Sequence, residues 1–144
     1  MASLVNNYFK QLNAKADIDL DADTFHAALL STNCTADTDP DAQFVSDLTL
    51  DEFDATGYAR VTISNPAVNL DLANDRAEFD FDDLSFTGMS GDGTRDVQGV
   101  LILKFVTNDA ASTPIVFIDF TTDAPLESSQ IDITINAEGA LNLT

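Results

Sequence analysis

The chain has no tryptophan, a single cysteine, a single histidine and only six basic residues, and each shortage removes a class of function. One cysteine, Cys34, excludes an internal disulfide framework and any cysteine-rich zinc site. One histidine, His26, leaves little for nucleophile–base catalysis, and Cys34 lies too far along the chain for spacing alone to pair the two. The lack of tryptophan, with only Tyr8 and Tyr58 as tyrosines, counts against the aromatic-lined cleft that glycosidases use to hold sugar. Lys10, Lys15, Arg60, Arg76, Arg95 and Lys104 are scattered among 25 acidic residues, giving a formal charge of −19. No basic patch can be assembled from them, so neither nucleic acid nor an anionic membrane is an expected partner. The N-terminal stretch MASLVNNYFKQLNAKAD has no apolar run after a basic segment, which reads as neither signal peptide nor anchor and points to synthesis in a cytoplasm. No glycine-rich phosphate loop, nucleophile elbow or HExxH pattern is present.

What is present is the material of a core. Hydrophobic residues make up 44% of the 144 positions, ten of them phenylalanine, so the expectation is one folded domain over 1–144 despite the charge. Residues 3–13 place Leu4, Val5, Tyr8, Phe9 and Leu12 at spacings of three and four behind a candidate Ser3 cap, which predicts a short amphipathic helix, the heart of a helical arm over 1–16. A strand is expected near 24–31 and a second short helix over 44–53, although Thr49 and the local alternation also permit irregular structure there.

From Gly57 onward the segments YARVTIS, AVNLDL, AEFDFDDLSF, GVLILKFV, PIVFIDF, QIDITIN and ALNL are rich in Val, Ile, Phe and Thr and are separated by turn residues. Their spacing predicts a mainly β protein, an antiparallel β-sandwich for which jelly-roll-like connections are one option. LDLANDRAEFDF reads as a hairpin turning at Asn74 and Asp75, with Leu70 and Leu72 on one arm, Phe79 and Phe81 on the other, and Asp71, Asp80 and Asp82 on the opposite face. GVLILKFV and PIVFIDF lack clean alternation, which marks central strands covered on both sides.

The many aspartates raise the question of cations. Asp37, Asp39 and Asp41 alternate as in a calcium loop, but the sixth and twelfth places of that loop hold Ala42 and Leu48 where an EF-hand needs glycine and glutamate. Asp19, Asp21 and Asp23, and Asp80, Asp82 and Asp83, form further clusters, and GDGTRD is the most loop-like stretch. The reading preferred for all of them is a solvated acidic face and ordinary turn chemistry, with no dedicated metal or cofactor site.

The span from His26 to Ser90 resembles a family of small structural proteins encoded among the head genes of tailed bacteriophages. The matching pieces are the apolar Ala28–Leu30 strand, the aspartate-rich turn Asp37–Asp41, the acidic segment Val45–Phe53, the step Thr56–Tyr58 and the hairpin end Phe79–Phe86, followed by VLILKF, PIVFIDF and EGALNL in the same order. Ala59 and Arg60 stand where that family usually has a glycine pair. The resemblance implies a non-enzymatic virion component, most plausibly a capsid decoration or cement protein on the particle exterior, with the major capsid protein as partner and a homo-oligomeric state. A tail or head-to-tail component, or a cation-dependent carbohydrate-binding module using GDGTRD, are the alternatives. Leu4, Val5, Tyr8 and Phe9 of the N-terminal helix are the candidate capsid or oligomer contact, set against simple packing of that helix on its own sandwich.

Overall fold

The computed structural model describes residues 3–143. Its frame is an antiparallel sheet in the order β1-β8-β7-β2-β3, built from Leu4–Val5 (β1), Phe25–Ser31 (β2), Val61–Thr62 (β3), Val97–Lys104 (β7) and Thr113–Ala124 (β8). A second sheet, in the order β10-β5-β4, takes Ala67–Asp71 (β4), Arg76–Asp80 (β5) and Leu141–Leu143 (β10), and a two-stranded ribbon pairs Leu84–Phe86 (β6) with Ile131–Ile133 (β9). One α-helix, Asn7–Ala14 (α1), completes the elements. The fold is therefore mainly β and antiparallel, a sandwich-like arrangement of one large and two small sheets with a short N-terminal helix. Each of the seven β segments read from the sequence holds a strand; AEFDFDDLSF holds two, split between sheets at Asp82 and Asp83.

The central strands are buried on both faces, as their missing alternation requires. Alternate residues of β2 and β7 (Ala27, Leu29, Val100, Ile102) join Phe79, Phe81, Phe86, Ile131 and Leu141 of the small sheets in the main core. Their neighbours (Ala28, Leu30, Leu101, Leu103) are covered on the far side by Cys34, Ala36, Ala42, Val45 and Leu48 from the long connection after β2. Two irregularities adjust this ladder. Residues 120–123 bulge out opposite Gln98, and Ile115 is an extra residue between the pairs Leu103–Pro114 and Ile102–Val116. The proline thus sits at a bulge, where a missing N–H is tolerated.

The N-terminus departs from the expected single helix. Leu4 and Val5 are extended and pair with Phe117 and Val116, and the Ser3 hydroxyl accepts from the Asp119 N–H instead of capping the helix. The cap is Asn6, whose side chain accepts from the Phe9 N–H at 3.1 Å and donates to the Ala42 carbonyl at 2.9 Å. Because its own N–H reaches the Ile115 carbonyl, this buried asparagine ties β8, α1 and the aspartate turn together. The helix expected at 44–53 is reduced to one 3-10 turn at Val45–Asp47. The segment must lie flat to cover the second face of the sheet, burying Val45 and Leu48, and Glu52 then bridges to Leu30. Among the described residues no helix is long and apolar enough to cross a membrane.

Burial ranks the phenylalanines and leucines by consequence. Phe79 is fully buried against Phe25 and Phe81, whereas Leu70, on the same hairpin, is 72% exposed. Phe79→Ala is expected to cost about 3–5 kcal/mol and Leu70→Ala less than about 0.5 kcal/mol in urea unfolding. Equal midpoints for the two variants would contradict the packing described.

Candidate docking surface

Most polar side chains outside the core fall into internally hydrogen-bonded networks, although one buried oxygen of Asp37 has no hydrogen-bond partner. Tyr58 donates to Glu52 at 2.7 Å and accepts from the Leu29 N–H at 3.0 Å, serving a β2 backbone group that neither neighbouring strand reaches. Arg60 bonds both carboxylate oxygens of Glu52 and both of Asp109, at 2.6 to 3.0 Å. Burial and the Glu52 carboxylate push the Tyr58 phenol well above its usual range, so it stays a donor; the bonds to Glu52 and Asp109 hold Arg60 firmly charged. This is a clamp that binds 52–60 and the 105–112 loop over the β2 edge.

A second set of bonds fixes the loop MSGDGTRD. Asp92 accepts from the Thr56 N–H and hydroxyl, both at 2.7 Å; Asp54 accepts from the Thr94 N–H and hydroxyl; and Arg95 forks onto Asp51. These bonds, from Arg95 to Asp51, from Thr94 to Asp54 and from Thr56 to Asp92, hold the three carboxyl groups below the usual carboxylate range. Gly57 sits between the two loops at φ +89, and a Cβ there would lie 2.2 Å from the Gly88 carbonyl oxygen, so only glycine fits the step before Tyr58.

The aspartate clusters resolve in the same way. Asp39 accepts from the Asp41 N–H, Asp41 from the Asn7 side chain, and Asp37 from Gln98, so the stretch is a turn docked on the start of α1. Asp19 accepts from the Asp21 N–H and Asp23 from the Asp19 N–H; Asp23 also meets Lys104 at 2.6 Å. Asp80, Asp82 and Asp83 go to three different partners, the Phe81 N–H, the Asn65 side chain and the Ile135 N–H. Among the described residues one acidic group is tight enough to suggest a cation, Asp71 with Glu78 and Glu138, and the Arg76 guanidinium already lies in it, in contact with all three. His26 stacks on Phe105 at 4.2 Å, its pKa lowered by burial and then by Arg60, while buried Cys34, its thiol pushed up by burial, faces Gln98. The structure brings no nucleophile and base together from this pair.

Of the expected contact residues, Leu4 and Val5 are half-buried in β1, Tyr8 is half-buried against Phe44, and Phe9 is 1% exposed in the main core. Helix α1 thus packs on its own sandwich, with Phe9 turned into the main core. The exposed large apolar side chains lie elsewhere: Val106 stands alone after β7, at 51%, and three others are grouped. Val68, Leu70 and Leu72 are 38%, 72% and 77% exposed, on β4 and its turn. Register explains this: Val68, Phe79 and Leu141 form one row across the second sheet, and Leu70, Ala77 and Leu143 the next, on the same face. The first row ends under the core; the second projects beyond it.

Two shallow grooves flank that overhang. One, of about 340 Å³, runs between Ile18, Leu20, Val68 and Leu143, and the other, of about 390 Å³, between Val5, Phe9, Leu141 and Leu143. Sequence reasoning placed Leu70 and Leu72 on one arm of the hairpin, opposite the face of Asp71; Leu72 in fact belongs to the turn. No protein-family model, curated protein or solved structure matches the chain.

Two outcomes test these networks. Tyr58→Phe leaves the Leu29 N–H without its acceptor and is expected to cost about 1–3 kcal/mol in urea unfolding. Because Asp51, Asp54 and Asp92 have folded pKa values below their unfolded ones, the stability they contribute is present above the unfolded carboxylate range and is lost as pH falls through the folded values. Protection factors at the Thr56 and Thr94 amides, corrected for the intrinsic exchange rate, should therefore hold above the unfolded carboxylate range and fall as the pH drops below it; protection unchanged in acid would contradict the assignment.

Proposed function

We propose that the chain is a non-enzymatic structural protein of a tailed-bacteriophage particle, a capsid decoration or cement protein that docks on the outer shell and stabilises it. The observation that carries this reading is the contrast between polar side chains engaged in structural hydrogen bonds and an uncovered apolar surface. His26, Cys34 and the aspartate clusters are held in structural contacts, while Val68, Leu70 and Leu72 face solvent on a protein of charge −19. Such a surface is what a binding protein keeps for a partner. The resemblance of Ala28–Leu30, Asp37–Asp41, Thr56–Tyr58 and Phe79–Phe86 to small virion proteins names the kind of partner, the major capsid protein.

The charge favours the exterior. A shell's interior faces packed DNA, which repels a polyanion, and the exterior does not. Docking across capsomer boundaries adds buried surface to the assembled lattice and none to free subunits, so binding shifts the equilibrium towards the intact shell by mass action. The protein would be made in the host cytoplasm, join the finished head, and act as a small homo-oligomer without cofactor.

The test is cosedimentation of the purified protein with heads that lack it, from the phage that encodes it. Saturable binding at a fixed ratio to the major capsid protein, with a rise in particle melting temperature, is the expected result. Binding to isolated tails alone would move the protein to the tail, and binding to neither would overturn the reading.

A further inference from the structure

We propose that the open edge of β4 is a strand-acceptor site: a partner segment of alternating lysine or arginine and large apolar residues adds to the second sheet beside Ala67–Asp71, its apolar side chains packing on Val68, Leu70 and Leu72.

The first observation is the backbone. Strand β4 ends its sheet, paired on one side with β5 and on the other with no described strand. The Val68 N–H does not point to β5; it donates outward to the carboxylate of Asp21, at 2.5 Å. Strand alternation then directs the Leu70 N–H and carbonyl to the same open side. An edge that offers backbone groups beside exposed apolar side chains is a template for another strand. Asp21 covers one of those groups, a carboxylate on an edge N–H, which a partner carbonyl can replace when a partner cation takes over the carboxylate.

The second observation is charge. Asp19 and Asp21 line the groove beside Val68, Asp71 closes the strand and Asp75 lies in the turn, while the cations on the two flanks are already engaged, Arg76 by Asp71, Glu78 and Glu138 and Lys104 by Asp23. A second copy of this chain would bring the same aspartates against their own images, at −19 per copy. A basic, apolar strand meets complementary charge on both flanks and its own apolar residues on the overhanging row. Self-association of this protein would then use another surface.

This names the partner chemistry of the docking reading above and rests on it only for the identity of the partner protein. The test uses the full chain, isotope-labelled, titrated with three short blocked peptides: alternating lysine and valine, the same peptide N-methylated at the amides of one edge, and alternating glutamate and valine. The expected result is saturable binding of the lysine–valine peptide, with shifts and slowed exchange at the Val68 and Leu70 amides. N-methylation or Leu70→Thr should abolish it, and the glutamate peptide should not bind. Shifts spread over other acidic faces, or equal binding of the N-methylated peptide, would overturn the strand-acceptor site. So would concentration-dependent dimerisation of the free protein that Leu70→Thr removes, since the occupant would then be a second copy. Heads separate this inference from the function. If the wild type cosediments with heads and Leu70→Thr does so equally, the site is overturned while the docking reading stands. If the peptide binds as described but heads do not, the site stands and the decoration reading fails.

Discussion

The structure depends on the two-sided burial of β2, β7 and β8. A strand covered on one face needs one apolar layer; these need two, and the chain supplies them from different sources. The small sheets cover one face with phenylalanines, and the long connection after β2 covers the other with Ala36, Ala42, Val45 and Leu48. That second cover carries much of the protein's unusual local structure. The aspartate turn, the flattened segment at 44–53, the Asn6 cap and the Arg60 clamp all serve to hold irregular backbone down on a sheet, where its polar groups must be met one by one.

This also accounts for the aspartates. Among the described residues, most of those singled out as candidate ligands accept a hydrogen bond from a nearby N–H or side chain, which is the use turns have for a short carboxylate. The acidity of the chain is in part the chemistry of its loops. What remains exposed sets the field any partner encounters, and it surrounds the row of open apolar side chains on β4 and its turn.

The sequence made the central strands legible because Val, Ile, Leu and Phe run through β7 and β8 without alternation, and the hairpin legible through Asn74 and Asp75. It misled where two readings of one stretch compete. Residues 3–13 carry helical spacing throughout, yet Leu4 and Val5 pair with β8, because an open sheet edge beside them outweighs a helical turn with no cap at Ser3. In 44–53 the apolar spacing was real, but it serves coverage of a flat sheet face. The exposed row was hidden for a different reason: Leu70 has the same local pattern as a buried residue, and only tertiary packing, which covers Phe79 and leaves Leu70 open, tells the two apart.

The pairing of Leu4 with Phe117 and Val5 with Val116 has a consequence for how the chain folds. Strand β1 has no local partner; it waits for β8, as β2 waits for β7, and the contacts that close the frame are separated by most of the sequence. Loops of that length are slow to close and reward nothing until they do. Loop closure alone therefore predicts that the frame starts from the β7–β8 hairpin and takes up the N-terminal strand late, which makes the edge completed by Leu4 and Val5 the expected place for the sheet to open.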